Sequence, residues 1–317
     1  MTKIMITGGT SPLGQVLCNK LRTYQPGDSD GDTFYVDNCP HSPLFNCLNY
    51  SHVEDRMIEF AADGYIDLVI SLAGYNGNIE FNRKYPADIF YQNTQMCLNI
   101  MDNARKYARR FLYVMPTCAF ADKDMLTEQD LWDGISHNSV ECHGLARRNY
   151  NAFARQLWKQ YQFPCVGLAF NTIYGPTDHF DEKSKVLCAV VKKVVDAHRK
   201  QLPEITFWGN GVVQRGFIYV EDAADAIISY INCNEFMDVI NMPSHEIYIH
   251  NLVKKVVDIV GYKGNIKWDT SKPNGQFRKM LDTSKNTTLK NFTMKWSLDD
   301  GIKETVEGYK NQWLISL

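Results

Sequence analysis

The stretch His137-Asn-Ser-Val-Glu-Cys-His-Gly-Leu-Ala-Arg-Arg148 holds the side chains with most to offer chemically. His143 is able to give a proton near neutral pH, where imidazole titrates. Arg147 carries a permanent positive charge and cannot shuttle protons, because its guanidinium stays protonated. A second feature is Thr7-Gly8-Gly9-Thr10-Ser11-Pro12-Leu13-Gly14, directly after an apolar run. A glycine-rich turn between a strand and a helix sets backbone N–H groups and the helix N-terminus against a pyrophosphate. Gly8 and Gly14 stand where the turn and the helix packing need glycine. Ser11 stands where a phosphate should come closest, and its side chain crowds that place. Pro12 is tolerated early in a helix, since its missing N–H would have no partner there.

The elements that would position these residues are legible in the first half. Lys3–Thr7, Thr33–Val36, Leu68–Leu72, Phe111–Met115 and Val166–Phe170 read as buried strands. Leu13–Tyr24, Val53–Ala62, Ala87–Tyr107 and His143–Tyr161 read as helices between them. Alternation of this kind predicts an α/β fold, a Rossmann-type doubly wound parallel sheet. Asp37 falls at the end of the second strand. There an acidic residue binds adenosine ribose hydroxyls and repels a 2′-phosphate, which favours NAD over NADP. The other reading of Asp37 is a turn aspartate ahead of Cys39-Pro40. Past about residue 175 the pattern loosens into short helices and Gly-, Pro- and charge-rich loops. The expected division is a dinucleotide-binding domain over 1–175 and a smaller substrate domain over 176–317, with segments returning to the main sheet.

Composition narrows the function classes. A chain of 317 residues with 44% hydrophobic and 22% charged residues is an ordinary globular protein. Its net charge of -2 gives no case for nucleic acid or an anionic membrane as partner. No apolar run approaches the roughly 20 residues of a membrane span. The sequence opens directly on a strand and turn rather than a signal peptide, so a cytoplasmic location is expected. The nine cysteines are scattered without a Cys-x-x-Cys pair, which argues for free thiols and against a metal site.

Several segments together resemble the extended short-chain dehydrogenase/reductases and, more closely, the GDP-L-fucose synthase branch of the NAD-dependent epimerase/dehydratase family. They are Leu72-Ala73-Gly74, Tyr85-Pro86-Ala87-Asp88 with Tyr91-Gln92-Asn93, Thr117-Cys118-Ala119-Phe120, Asn171-Thr-Ile-Tyr-Gly-Pro176, Trp208-Gly-Asn-Gly211, Arg215-Gly-Phe-Ile-Tyr-Val-Glu-Asp222 and Lys272-Pro-Asn-Gly-Gln-Phe-Arg-Lys279. The resemblance covers nearly the whole chain. It implies a GDP-linked keto-deoxy sugar as substrate, epimerisation at two sugar carbons, hydride delivery to the ketone, and a homodimer built on a four-helix bundle. It places Gly8, Ser11, Gly14, Asp37, Ala73 and Arg147 at the cofactor. Asn171, Lys193, Trp208, Arg215 and Lys279 fall at substrate contacts. Arginine and lysine suit a diphosphate, and an aromatic ring suits a base or sugar. Blander readings stand beside these: an ion pair for Arg215, a core position for Trp208.

The catalytic set departs from the family. The family's serine is Pro116, its tyrosine is His143, and its lysine is Arg147. A family histidine falls near Lys185. Only Cys118, the family's epimerisation base, is kept, and buried cysteine is often inert core. Reducing a ketone needs a proton delivered to oxygen as hydride reaches carbon, and a phenol beside an ammonium does this well. Three readings stay open. In the first, Cys118 with Lys185 or His143 exchanges protons beside a keto group, an isomerisation or epimerisation without hydride. In the second, the protein is catalytically silent and binds a nucleotide sugar or NAD(P) as sensor or partner subunit. In the third, it is a reductase with His143 in place of tyrosine.

Overall fold

Apolar residues two apart share one face of a strand, and the first strand shows what that does here. Ile4 and Ile6 pack into one core cluster while Met5, between them, packs into another on the opposite side of the sheet. The same split recurs with Leu68 and Ile70 against Val69, and with Leu112 against Phe111 and Tyr113. A sheet buried on both faces is the signature of strands joined by helical crossovers.

The computed structural model describes residues 2–23, 34–38, 46–62, 64–181, 183–272, 276–289 and 292–315. Its first half runs β1 (Thr2–Thr7), α1 (Pro12–Thr23), β2 (Phe34–Asn38), α2 (Tyr50–Phe60), β3 (Leu68–Ser71), α3 (Ile79–Lys84), α4 (Pro86–Tyr107) and β4 (Phe111–Pro116). There follow β5 (Met125–Leu126), α5 (Glu141–Tyr161), β6 (Cys165–Phe170), β7 (Thr172–Tyr174), α6 (Val186–Arg199), β8 (Glu204–Trp208), β9 (Gln214–Tyr219) and α7 (Val220–Ser229). The chain ends with β10 (Met237–Asn241), β11 (His245–Tyr248), α8 (Ile249–Val260), β12 (Asn265–Asp269), β13 (Met280–Leu281), α9 (Ser284–Leu289) and α10 (Leu298–Ile315). The strands and helices expected in the first half all form, with ends moved by three residues or fewer. Tyr24 and Thr33, the end of one expected helix and the start of one expected strand, lie outside the described residues.

The main sheet has six strands in the order β10-β6-β4-β3-β1-β2, every neighbouring pair parallel. The order reverses at β1, between β2 and β3. A crevice therefore opens beyond the strand C-termini at that point, the usual place for a ligand in such sheets. The other strands form smaller sheets: β11-β9-β7, β12 with β8, and β13 with β5. No helix among the described residues is long and apolar enough to cross a membrane. The eight cysteines among the described residues are all free thiols.

Helix α5 is the element that decides the site, and its register is set by polar contacts in the core. The Asn151 side chain receives a hydrogen bond from Trp132 Nε1 at 2.9 Å and donates to Tyr113 Oη at 3.0 Å. Tyr113 Oη donates in turn to the Asp238 carbonyl at 3.0 Å, tying α5 and β4 to β10. In the first turn of α5, Gly144 lies so close to the turn after β4 that a methyl group there would overlap the Cys118 carbonyl. This approach brings the first turn of α5 against Cys118.

Candidate active site

A cleft of about 690 Å³ runs across the strand C-termini, lined by the β1–α1 turn, the ends of β3, β4 and β6, the first turns of α5, and the loop before α6. Ser11, Gly74, Pro116, Cys118, His143, Arg147, Asn171, Lys185, Trp208 and Arg215 all line it. A smaller adjoining pocket of about 160 Å³ adds Lys279 to Cys118, Asn171 and Arg215.

At the centre is a chain of contacts. Cys118 Sγ lies 3.2 Å from His143 Nδ1. One helical turn along α5, Arg147 Nε donates to His143 Nε2 at 3.3 Å. Arg147 Nη2 donates to the Ala73 carbonyl after β3 at 2.9 Å, and the guanidinium carbon lies 5.2 Å from the Tyr150 ring centroid. His143 and Arg147 are buried, at 4% and 7% exposure. Burial, and then the charges of Arg147 and Lys185, hold the His143 imidazole well below the usual histidine range. Burial likewise pushes the Cys118 thiol up to about 11, although Lys279 and Arg147 pull against that. The pair therefore rests as a neutral thiol and a neutral imidazole.

The remaining sequence-derived residues divide by location. Arg215 lines both cavities; it donates to the Gln214 carbonyl at 2.7 Å and has no carboxylate partner among the described residues. Lys279 is buried, and burial lowers its pKa. Among the described residues it has neither a hydrogen bond nor an ion pair. Asn171 donates to Ser244 Oγ at 2.8 Å. Trp208 is 64% exposed at the cleft mouth, so it is no core residue. Lys185 stands at the head of α6, its Nζ 3.5 Å from the Ile173 carbonyl. Lys193 is apart from these: it packs over Phe207 at 5.1 Å, donates to the Thr206 carbonyl, and lines neither cavity. Asp37 lies on β2 in register with Met5; its side chain is outside the described residues. Sequence reasoning passed over Asn76, Asn78 and Asn82, and Asp178, His179 and Lys183, which also line the cleft. The turn-forming Tyr75-Asn-Gly-Asn78 was the available signal, but a turn alone does not show what it faces.

The protein resembles known chains over nearly its whole length. Residues 4–241 match the NAD dependent epimerase/dehydratase family. The chain belongs to this family. It is 30% identical over 312 residues to a putative GDP-L-fucose synthase 2 of Arabidopsis thaliana, covering 97% of this chain and 91% of the relative. It is 31% identical to a GDP-L-colitose synthase of Yersinia pseudotuberculosis, with 98% of each covered. Among solved structures, a GDP-L-fucose synthetase from Naegleria fowleri superposes with a TM-score of 0.84 at 21% identity, over 99% of this chain and 94% of that one. A GDP-mannoheptose C4 reductase from Campylobacter jejuni, solved with NADP bound, gives 0.83 at 22% over 98% of each chain. These likenesses bear out the Rossmann-type fold of the extended short-chain dehydrogenase/reductases.

The family's cofactor makes demands on the glycine loop. Gly8 has the positive φ of +77° that the turn requires. Some of the donors, however, are spent internally. Ser11 Oγ accepts from the Gly14 N–H at 3.1 Å and the Ser11 carbonyl accepts from Gln15 N–H at 2.9 Å. Pro12 brings no N–H, which leaves Leu13 as the one first-turn amide without a partner among the described residues. Ser11 thus caps its own helix, which leaves a pyrophosphate fewer amide donors at this turn. Replacing Ser11 with glycine frees the Gly14 amide and removes the crowding side chain. We expect Ser11→Gly to tighten NAD or NADP binding by roughly tenfold, the scale of one regained hydrogen bond. Calorimetric titration of both proteins checks it, and unchanged or weaker binding in Ser11→Gly refutes the role given to the cap.

Proposed function

We propose that the protein exchanges protons at the carbons flanking the ketone of a GDP-linked keto-deoxy sugar, as an isomerase or epimerase that needs no hydride. The observation that carries this reading is Cys118 Sγ, held 3.2 Å from His143 Nδ1 on the cleft wall. The Cys118 thiolate takes a proton from the carbon beside the ketone, and the C–H electrons move onto the carbonyl oxygen as an enolate. The Lys185 ammonium supports that charge and returns a proton to carbon. His143 serves less well as the acid, because it is held neutral.

Hydride reduction finds less support. Pro116 has no donor where the family has serine, and both His143 nitrogens are taken up, by Cys118 and Arg147. A reductase using His143 as proton donor would need an N–H free to meet the ketone. The binding-only reading keeps one observation in its favour, the self-capped loop at Ser11. Nicotinamide chemistry would supply hydride if a dinucleotide bound. Gly8, Leu13 and Asp37 would then hold it, with Asp37 favouring NAD.

The names of the relatives support GDP as the handle on the substrate. Arg215, with no carboxylate partner among the described residues, and buried Lys279, with no partner among them, suit a diphosphate, and the exposed Trp208 ring suits a base. We expect Arg215→Ala to weaken GDP binding by about 2–5 kcal/mol, the cost of losing one side of a desolvated charge pair. Unchanged affinity in a titration would remove the argument for substrate class.

Reaction type is tested in deuterated water. Incubation with GDP-4-keto-6-deoxymannose should place deuterium beside the ketone, read by NMR, and Cys118→Ser should abolish the uptake. Because the thiol is pushed up to about 11, its thiolate fraction grows with pH, so exchange should climb about tenfold per pH unit from pH 7 to 9. No uptake by the unaltered protein puts the binding-only reading ahead. Rapid NAD(P)H oxidation overturns both.

The proposed assembly is a homodimer joined through α4 and α5. These helices pack along each other and carry exposed Phe90, Tyr91, Leu98 and Tyr161, more apolar surface than water-facing helices usually show. A monomer by light scattering at micromolar concentration would exclude it.

A further inference from the structure

We infer that Arg147 locks His143 in the Nδ1–H tautomer, making the ring a fixed hydrogen-bond donor to the Cys118 sulfur and not a proton acceptor. The inference rests on the reading of Cys118 as the reactive group and assigns the roles of its two neighbours. It begins from a one-way interaction. A guanidinium has five N–H donors and no acceptor. Arg147 Nε at 3.3 Å can meet His143 Nε2 only if that nitrogen offers its lone pair. A neutral ring then carries its single proton on Nδ1, the nitrogen 3.2 Å from Cys118 Sγ. Turning the ring over would set carbon against both partners.

Arg147 is not free to choose another arrangement. Its Nη2 is anchored on the Ala73 carbonyl, its plane lies against Tyr150, and the guanidinium fills the space that a side chain at residue 74 would need. Charge works in the same direction. The groups facing His143 are Arg147 from its own helix, Lys185 from the head of α6, and Cys118 from the turn after β4. Two are cations, and the imidazole also sits in the first turn of α5, where the helix dipole disfavours positive charge. A second ring proton would face the Arg147 N–H directly. Cys118 is the one member of the group able to take up negative charge.

The consequence separates this site from a cysteine–histidine pair in which imidazole removes the thiol proton. Here both ring nitrogens are committed, one by its proton and one by Arg147. The Cys118 proton leaves to solvent water in the cleft that the residue lines, and His143 stabilises the thiolate that remains. His143 and Arg147 are positioning residues; Cys118 is the reacting one.

The test reads the tautomer directly. Protein labelled with nitrogen-15 in histidine is examined by long-range proton–nitrogen correlation NMR, with His143→Gln identifying the His143 signals. The expected pattern is a neutral ring protonated at Nδ1 at pH 7 and still neutral at pH 5. An Nε2–H tautomer, or an imidazolium at pH 7, overturns the inference. In Arg147→Met the ring should move toward Nε2–H, and iodoacetamide alkylation of Cys118 at pH 8, followed by peptide mass spectrometry, should slow by roughly tenfold as the sulfur loses its donor. An Arg147→Met protein that folds by circular dichroism yet keeps the Nδ1–H tautomer overturns the role of Arg147. These readouts are independent of turnover. Absent deuterium uptake with the Nδ1–H tautomer intact would sink the exchange reading alone, and uptake with the wrong tautomer would sink the lock alone.

Discussion

A buried cation without a counter-ion governs this site. Arg147 is 7% exposed and has no carboxylate partner among the described residues. Removing a guanidinium from water costs several kcal/mol unless its donors and charge are met. They are met by neutral groups: the Ala73 carbonyl, the His143 lone pair and the face of Tyr150. Each of these imposes something further. The Ala73 carbonyl requires β3 to end where it does, Gly74 must carry no side chain, and His143 must give up its Nε2 to the arginine. A site with lysine at this position would be under weaker constraint, because a flexible ammonium can reorient and can lose its proton.

From this it follows that His143 and Arg147 form one unit. A histidine alone at 143 would be a buried ring with an undetermined tautomer. An arginine alone would be a buried charge with one carbonyl. Together they satisfy each other, one helical turn apart on α5, and direct a single N–H at sulfur. Double-mutant coupling is the expected behaviour of such neighbours.

Much of this was legible in the sequence, for identifiable reasons. The strands of the main sheet are buried on both faces, so Ile4–Ile6, Val69–Ile70 and Phe111–Met115 stand out as apolar runs, and the amphipathic helices between them fix the alternation. The small sheets of the second half were not legible: β5 and β13 are two residues each, and strands this short carry no period. Lys193 illustrates the limit of reading by position. The resemblance places it at a substrate contact, while its side chain folds onto Phe207 and the Thr206 carbonyl. Ser11 shows the reverse. Its crowding of the phosphate position was visible, but its role as a helix cap depends on a 3.1 Å contact that no spacing rule supplies.

The distance between what residues are and where they sit is clearest at Cys118 and His143. Their types suggested proton exchange, and 25 residues separate them in the chain. What brings them together is Gly144, whose missing side chain lets the head of α5 settle against the turn after β4. A helix displaced outward by even one methyl group would lengthen a 3.2 Å contact beyond hydrogen-bonding range. The polar ties further along α5, from Asn151 to Trp132 and Tyr113, hold the helix in that register from inside the core. The chemistry proposed for the sulfur therefore depends on a glycine that touches no substrate and on an asparagine two helical turns away from the reacting groups.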